Sequence, residues 1–104
     1  MHHGVDFAAC SGTPVKSALS GTVIYAENRA GYGKCIIIKH KDNIETRYAH
    51  LSRIFVKSGD LVLTGQKIGL VGATGNVRGK NDPSHLHFEL IIEGVRYNPL
   101  LHII

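Results

Sequence analysis

The run Ser84-His85-Leu86-His87-Phe88-Glu89-Leu90 sets two imidazoles two residues apart in a segment that otherwise reads as a buried strand. Side chains at i and i+2 of a strand leave the same face, roughly 6.5–7 Å apart along the backbone. Imidazoles on a face that would otherwise be apolar require partners, and a metal ion, or a reacting group beside one, is the simplest. Taken alone, the motif also fits two strand histidines hydrogen-bonded to the backbone.

His2 and Asp6 form a second candidate pair, four residues apart with Gly4 between them. A fully extended strand would separate them by about 13 Å, too far for one ion. A tight loop, which Gly4 permits, brings both side chains together. A neutral imidazole and a carboxylate are both zinc ligands, at roughly 2.0–2.2 Å. Either His85 or His87 could complete a His-Asp-His set and leave a fourth position open for water, the arrangement of catalytic rather than structural zinc. The other imidazole of the pair would then stand beside that water. Against this stands a plainer reading: an exposed His2-His3 pair, or the remnant of a purification tag, with Asp6 in a turn.

The remaining histidines divide less sharply. His50 follows Tyr48-Ala49 at a strand end, where it is either a second acid/base group or a half-exposed terminal residue. His3 points to solvent, His40 ends a strand in a structural role, and His102 lies on the surface near the C-terminus. There is no His-Glu-x-x-His helix motif, no Gly-x-Ser-x-Gly elbow, and no nucleophile motif around either cysteine. Asp6 is the one acid in a ligand motif, so in a zinc hydrolase the proton transfers fall to histidine.

The elements that must position these groups are strands. Thr22–Ala26, Cys35–His40, Glu45–Leu51, Leu61–Leu63, Lys67–Val71 and His85–Ile92 read as strands, and Val95–Tyr97 closes a hairpin across Glu93-Gly94. Cys35-Ile36-Ile37-Ile38 is a β-branched run suited to burial, whereas Glu45–Leu51 alternates. Turn residues separate the runs at Ser11–Pro14, Gly31–Gly33, Asp42-Asn43, Ser58–Asp60 and Gly75-Asn76. No window of ten or more residues carries a helical period. The chain therefore reads as all-β, a barrel or a sandwich of small sheets. A weak internal echo links Gly12–Val15 and Gly21–Val23 to Gly59–Val62 and Gly65–Gly69, as two related half-units around one core would. Gly72 to Ser84 is the longest irregular stretch and adjoins the histidine pair.

Composition sets the outer limits. A chain of 104 residues buries roughly two-thirds of its unfolded surface, enough for a core without staples. With 43 % hydrophobic and 19 % charged residues it is a globular domain, not a disordered segment. No apolar run approaches the roughly 20 residues that cross a bilayer. Met1 is followed at once by His2-His3-Gly4, so export would need a leader that this sequence does not carry. The net charge of +4 favours acidic partners, among them anionic cell-wall polymer. The cations are scattered and no block of them alternates with aromatics, which argues against a nucleic-acid partner. Cys10 and Cys35 form no Cys-x-x-Cys pair. They read as two inert buried thiols, or as one disulfide in an oxidising compartment.

Four segments in order resemble the lysostaphin/LytM-type zinc metallopeptidases, which are peptidoglycan endopeptidases: His2-His3-Gly4-Val5-Asp6-Phe7, Ser11-Gly12-Thr13-Pro14-Val15, Tyr48-Ala49-His50-Leu51-Ser52 and His85-Leu86-His87-Phe88-Glu89. Ala18–Val23, Gly31–Gly33 and Val56–Asp60 also look like that family, so the likeness runs through nearly the whole chain. The resemblance implies an antiparallel, barrel-like β sandwich of the duplicated hybrid motif type, with an open groove. It implies Zn2+ held by His2, Asp6 and His87, with catalytic roles for His50 and His85. It implies cleavage of peptide cross-links of peptidoglycan by attack of metal-bound water, in the periplasm, cell envelope or outside the cell. Residues 1–104 then form a single metallopeptidase-like domain without the upstream segment, including a groove-wall strand, that members usually carry. The segment Gly79–Ser84 is longer than usual, Cys10 stands where a proline is common, and Cys35 stands where an aliphatic or aromatic residue is common.

Two rival readings exist. Some members of that family have lost ligands and act as binding modules that activate other wall hydrolases; the full polar set here speaks against it. The glycine-flanked echo around Gly21 and Gly65 also looks like a biotinyl/lipoyl-like or phosphotransferase carrier barrel. Neither Lys57 nor Lys67 sits at the hairpin tip that a lipoyl-type carrier needs, and a phosphocarrier has no use for Asp6.

Overall fold

The structure, a computed structural model, describes residues 5–73 and 85–97. Its strands are β1 (Val5–Ala8), β2 (Pro14–Lys16), β3 (Gly21–Arg29), β4 (Gly33–Lys39), β5 (Ile44–Ile54), β6 (Leu61–Val62), β7 (Lys67–Val71), β8 (His85–Ile92) and β9 (Val95–Tyr97). The one helical element among the described residues is a 3-10 turn at Lys41–Asn43. All pairings are antiparallel and join the strands into one sheet, ordered β1-β8-β5-β4-β3-β6, with the β2–β7 pair attached to β5 and β9 to β8. The all-β, antiparallel expectation is borne out. β1 carries no strand signal in the sequence, and β3 and β5 run past their expected ends.

Hairpins form where the turn residues allow left-handed backbone. Asp42 and Asn43 have φ of 59° and 58°, and Glu93 and Gly94 have φ of 50° and 80°. Successive positive φ values match the twist of the flanking strands, and Asn, Asp and Gly tolerate them best.

The echo in the sequence is a reciprocal exchange of strands. β2 pairs with β7 while β3 pairs with β6, so each half-unit is completed by the other. The connections also interlock: Ser17 N–H donates to the Gln66 carbonyl (2.9 Å), and Gly65 N–H donates to the Ser17 carbonyl (2.8 Å). Val15, Val23, Val62 and Ile68 from these strands enter the same core as Ile36, Ile38, Tyr48, Leu51, Phe88 and Leu90.

The long strand β5 organises the site because it changes partner midway. Ile44–Ala49 pairs with β8, and Leu51–Ile54 pairs with β7. Between the two stretches His50 has φ of 62°, a left-handed conformation that is rare for a residue other than glycine. Tyr48 and Leu51, three apart, are both core residues, whereas a regular strand would place them on opposite faces. The irregularity at His50 absorbs the extra residue, as a bulge does.

Candidate active site

Strand β8 lies between β1 and β5, so its residues meet both neighbours. The β1–β8 register sets Asp6 opposite His87 and Ala8 opposite His85, and the β5–β8 register sets Ala49 opposite His87. Alternation along β8 places His85, His87 and Glu89 on one face, while Phe88 and Leu90 go to the core.

These pairings converge on a cluster of polar groups. His87 Nδ1 lies 2.7 Å from Asp6 Oδ1, and His85 Nε2 lies 3.8 Å from the same oxygen. The His50 ring stands 5.0 Å from that of His85 and 6.0 Å from that of His87, centroid to centroid. Backbone contacts fix both flanking histidines: His50 N–H donates to the Tyr32 carbonyl (2.8 Å), and His85 N–H donates to the Gly72 carbonyl (3.2 Å). At Gly72 a Cβ would meet Ser52 N at 2.5 Å, so only glycine lets the chain pass beside β5 at that point.

The rear of the cluster is built on Glu89, which is 2 % exposed. Its Oε2 accepts from His87 Nε2 (2.9 Å) and from the Tyr32 hydroxyl (2.9 Å). Its Oε1 accepts from Arg96 Nε (3.3 Å) and lies 3.9 Å from an Arg47 terminal nitrogen. Burial pushes the Glu89 carboxyl up, but the hydrogen bonds from His87, Tyr32 and Arg96 together outweigh it and hold the group down at about 2. The same Glu89 bond, with Asp6 behind it, raises the pKa of His87 against the effect of burial.

Of the expected site residues, Asp6, His50, His85 and His87 come together. His2 lies outside the described residues, as do His3, His102 and positions 74–84 of the long irregular stretch. No group of three or more metal-binding side chains stands assembled among the described residues. Asp6 and His87 nevertheless fit a divalent metal in kind: a carboxylate oxygen and a ring nitrogen face each other on partly exposed side chains. Sequence reasoning missed Glu89, Tyr32 and Arg96. Glu89 could have been found from its period-2 placement behind His87; Tyr32 and Arg96 left no such mark.

His40 is structural: it is buried, with Nδ1 2.8 Å from the Ser20 carbonyl and Nε2 2.7 Å from Thr46 Oγ1. The cysteines are both free, and the reading of two buried thiols is corrected at Cys10, which is exposed on the loop after β1. Cys35 is fully buried on β4, where desolvation pushes its thiol up to about 11.

Comparison with known proteins gives a consistent picture. A family model described as Peptidase family M23 matches residues 1–99. Peptidoglycan DD-endopeptidase ShyA from Vibrio cholerae is 44 % identical over 99 residues, which is 95 % of this chain and 22 % of that protein. The chain thus spans about a fifth of the length of that curated relative. Among solved structures, the catalytic domain of the antimicrobial peptidase lysostaphin from Staphylococcus simulans superposes with a TM-score of 0.89 at 36 % identity, covering 99 % of this chain and 79 % of that one. A zinc-containing peptidase from Vibrio cholerae superposes with a TM-score of 0.85 at 43 % identity, covering 92 % of this chain and 28 % of that one.

Proposed function

The chain belongs to peptidase family M23, and on that premise we propose that it is a zinc-dependent endopeptidase acting on peptide cross-links of bacterial peptidoglycan. The observation that carries this reading is the convergence of Asp6, His87, His85 and His50, from three strands, on one partly exposed face. Asp6 and His87 would hold the metal, with His2 as the third ligand. When bound, zinc supplies a Lewis acid that also makes water a nucleophile at neutral pH.

The chain's own residues supply the rest. His85 and His50 flank the Asp6–His87 pair, with His85 Nε2 directed at Asp6. The two imidazoles share the proton transfers: one takes the proton of the attacking water, and the other donates to the developing oxyanion and to the leaving amine. Both rings are largely sheltered, His50 at 7 % exposure, so their hydrogen bonds to a bound peptide act in a low-dielectric setting. The net charge of +4 suits an anionic wall substrate, and such a substrate places the site of action in the cell envelope or outside the cell.

Digestion of purified sacculi with and without a zinc chelator, followed by mass analysis of the fragments, tests this reading. Chelator-sensitive release of peptide fragments is the expected result. Intact sacculi, with no stoichiometric zinc in the purified chain, would instead leave a binding module that activates another hydrolase.

A further inference from the structure

Resting on the zinc reading above, we infer that Glu89 is the positioning residue of the metal site: it holds the Nε2 proton of His87 and so reserves Nδ1 for the metal. In the neutral imidazole one nitrogen carries the proton and the other offers the lone pair, and the partner of the first decides which is which. His87 has a carboxylate at each nitrogen, Asp6 at Nδ1 and Glu89 at Nε2. The two carboxylates are not equivalent.

Asp6 is 39 % exposed, reaches His87 from a neighbouring strand, and is itself a metal-ligand type, so an ion can come between it and Nδ1. Glu89 is buried, and both of its oxygens are already occupied, Oε2 by His87 and Tyr32, Oε1 by Arg96. That carboxylate cannot swing forward to bind an ion without breaking its bonds to the Tyr32 hydroxyl and the Arg96 guanidinium. It therefore stays behind the ring. A carboxylate behind a metal-bound imidazole fixes ring orientation and raises its basicity, and losing such a partner weakens metal binding by about 10–100-fold. Tyr32, from the turn between β3 and β4, and Arg96, from β9, serve the site at one remove by holding Glu89 in place.

Three chains test this: wild type, E89Q and E89L, each zinc-loaded, with competition against a chelator of known affinity and long-range proton–nitrogen NMR of the His87 ring. Nδ1 should be the metal-bound nitrogen and Nε2 the protonated one in wild type. E89L should bind zinc about 10–100-fold more weakly. E89Q, whose amide oxygen can still accept from Nε2, should keep the wild-type tautomer and fall between the two. Metal on Nε2 in wild type, or a folded E89L with wild-type zinc affinity, overturns the inference while leaving the zinc reading intact. A wild-type chain that binds no zinc overturns both. If E89L does not fold, the wild-type tautomer and the E89Q affinity decide.

Discussion

The imidazoles of His50 and His85 face each other with centroids 5.0 Å apart and planes inclined by 54°. One comes from the left-handed residue where β5 changes partner, the other from the first residue of β8. A kink in one strand and the end of another thus bring two imidazoles beside the Asp6–His87 pair, with neither ring part of it.

Separate replacement of these two rings should separate chemistry from metal binding. His50→Ala and His85→Ala should each retain stoichiometric zinc and lose about 10²–10⁴-fold in turnover on a cross-linked peptide. Metal analysis beside single-turnover kinetics checks both halves. Wild-type turnover in either variant would remove that histidine from the mechanism.

Asp6→Ala and His87→Ala should behave in the opposite way. Each removes one donor of the pair that stands 2.7 Å apart, so zinc is lost rather than merely left idle. Dialysis followed by metal analysis should give well under one equivalent, and added zinc should restore little activity.

Gly72→Ala should damage the site through the backbone. The new Cβ falls 2.5 Å from Ser52 N and 2.8 Å from Ser52 Cα, so the two chains must part. Gly72 is also the bridge partner of His85 and accepts its N–H. A displacement of about 1 Å at a catalytic group can cost roughly 100-fold in rate. We expect kcat to fall by about that factor with zinc content unchanged.

Much of this site is legible in the sequence because strands impose a period of two. His85, His87 and Glu89 share a face for that reason, and the apolar Phe88 and Leu90 mark the face they avoid. The half-unit echo is legible too, although which strands pair across it depends on long-range contacts that local pattern does not encode. What escapes is set by geometry with no compositional mark. The positive φ at His50 falls on a residue that gives no sign of it. β1 is four residues long with Asp6 inside it, too short to alternate visibly. Tyr32 reads as a turn residue because Gly31 and Gly33 flank it, and its reach to Glu89 exists only once β4, β5 and β8 lie side by side.

The buried polar cluster behind β5 predicts a stability effect independent of the site. The Tyr48 hydroxyl accepts from Ala18 N–H (2.9 Å) and bonds Thr46 Oγ1 (2.9 Å), which in turn meets His40. Tyr48→Phe keeps the ring against Phe88 but strips those groups of their partner. A buried group left unsatisfied costs about 1–3 kcal/mol. Urea unfolding should show a loss in that range with zinc affinity unaltered, and a neutral result would mean that the cluster repacks.

Cys35 makes stability depend on pH at the alkaline end. Burial raises its thiol to about 11 from 9.0, while the nearby Arg29 and Arg47 pull it back only in part. The ionised form is therefore disfavoured in the folded chain and unrestrained in the unfolded one. Below about pH 9 both states carry the proton and the thiol contributes no slope. Between about pH 9 and 11 the unfolded chain loses its proton first, so stability falls as pH rises, by up to about 2–3 kcal/mol for this one group. Lysines and tyrosines titrate in the same window, so the comparison must be with Cys35→Ala, which carries all of them except this thiol. The difference between the two unfolding curves should narrow from pH 9 to 11, because only the parent chain loses the thiol's share. Alkylation gives a second readout: at pH 8 the exposed Cys10 should react with iodoacetamide in the native chain, and Cys35 only after unfolding. A parallel pH dependence in the two chains, or rapid native-state labelling of Cys35, would show that β4 opens far more readily than its burial implies.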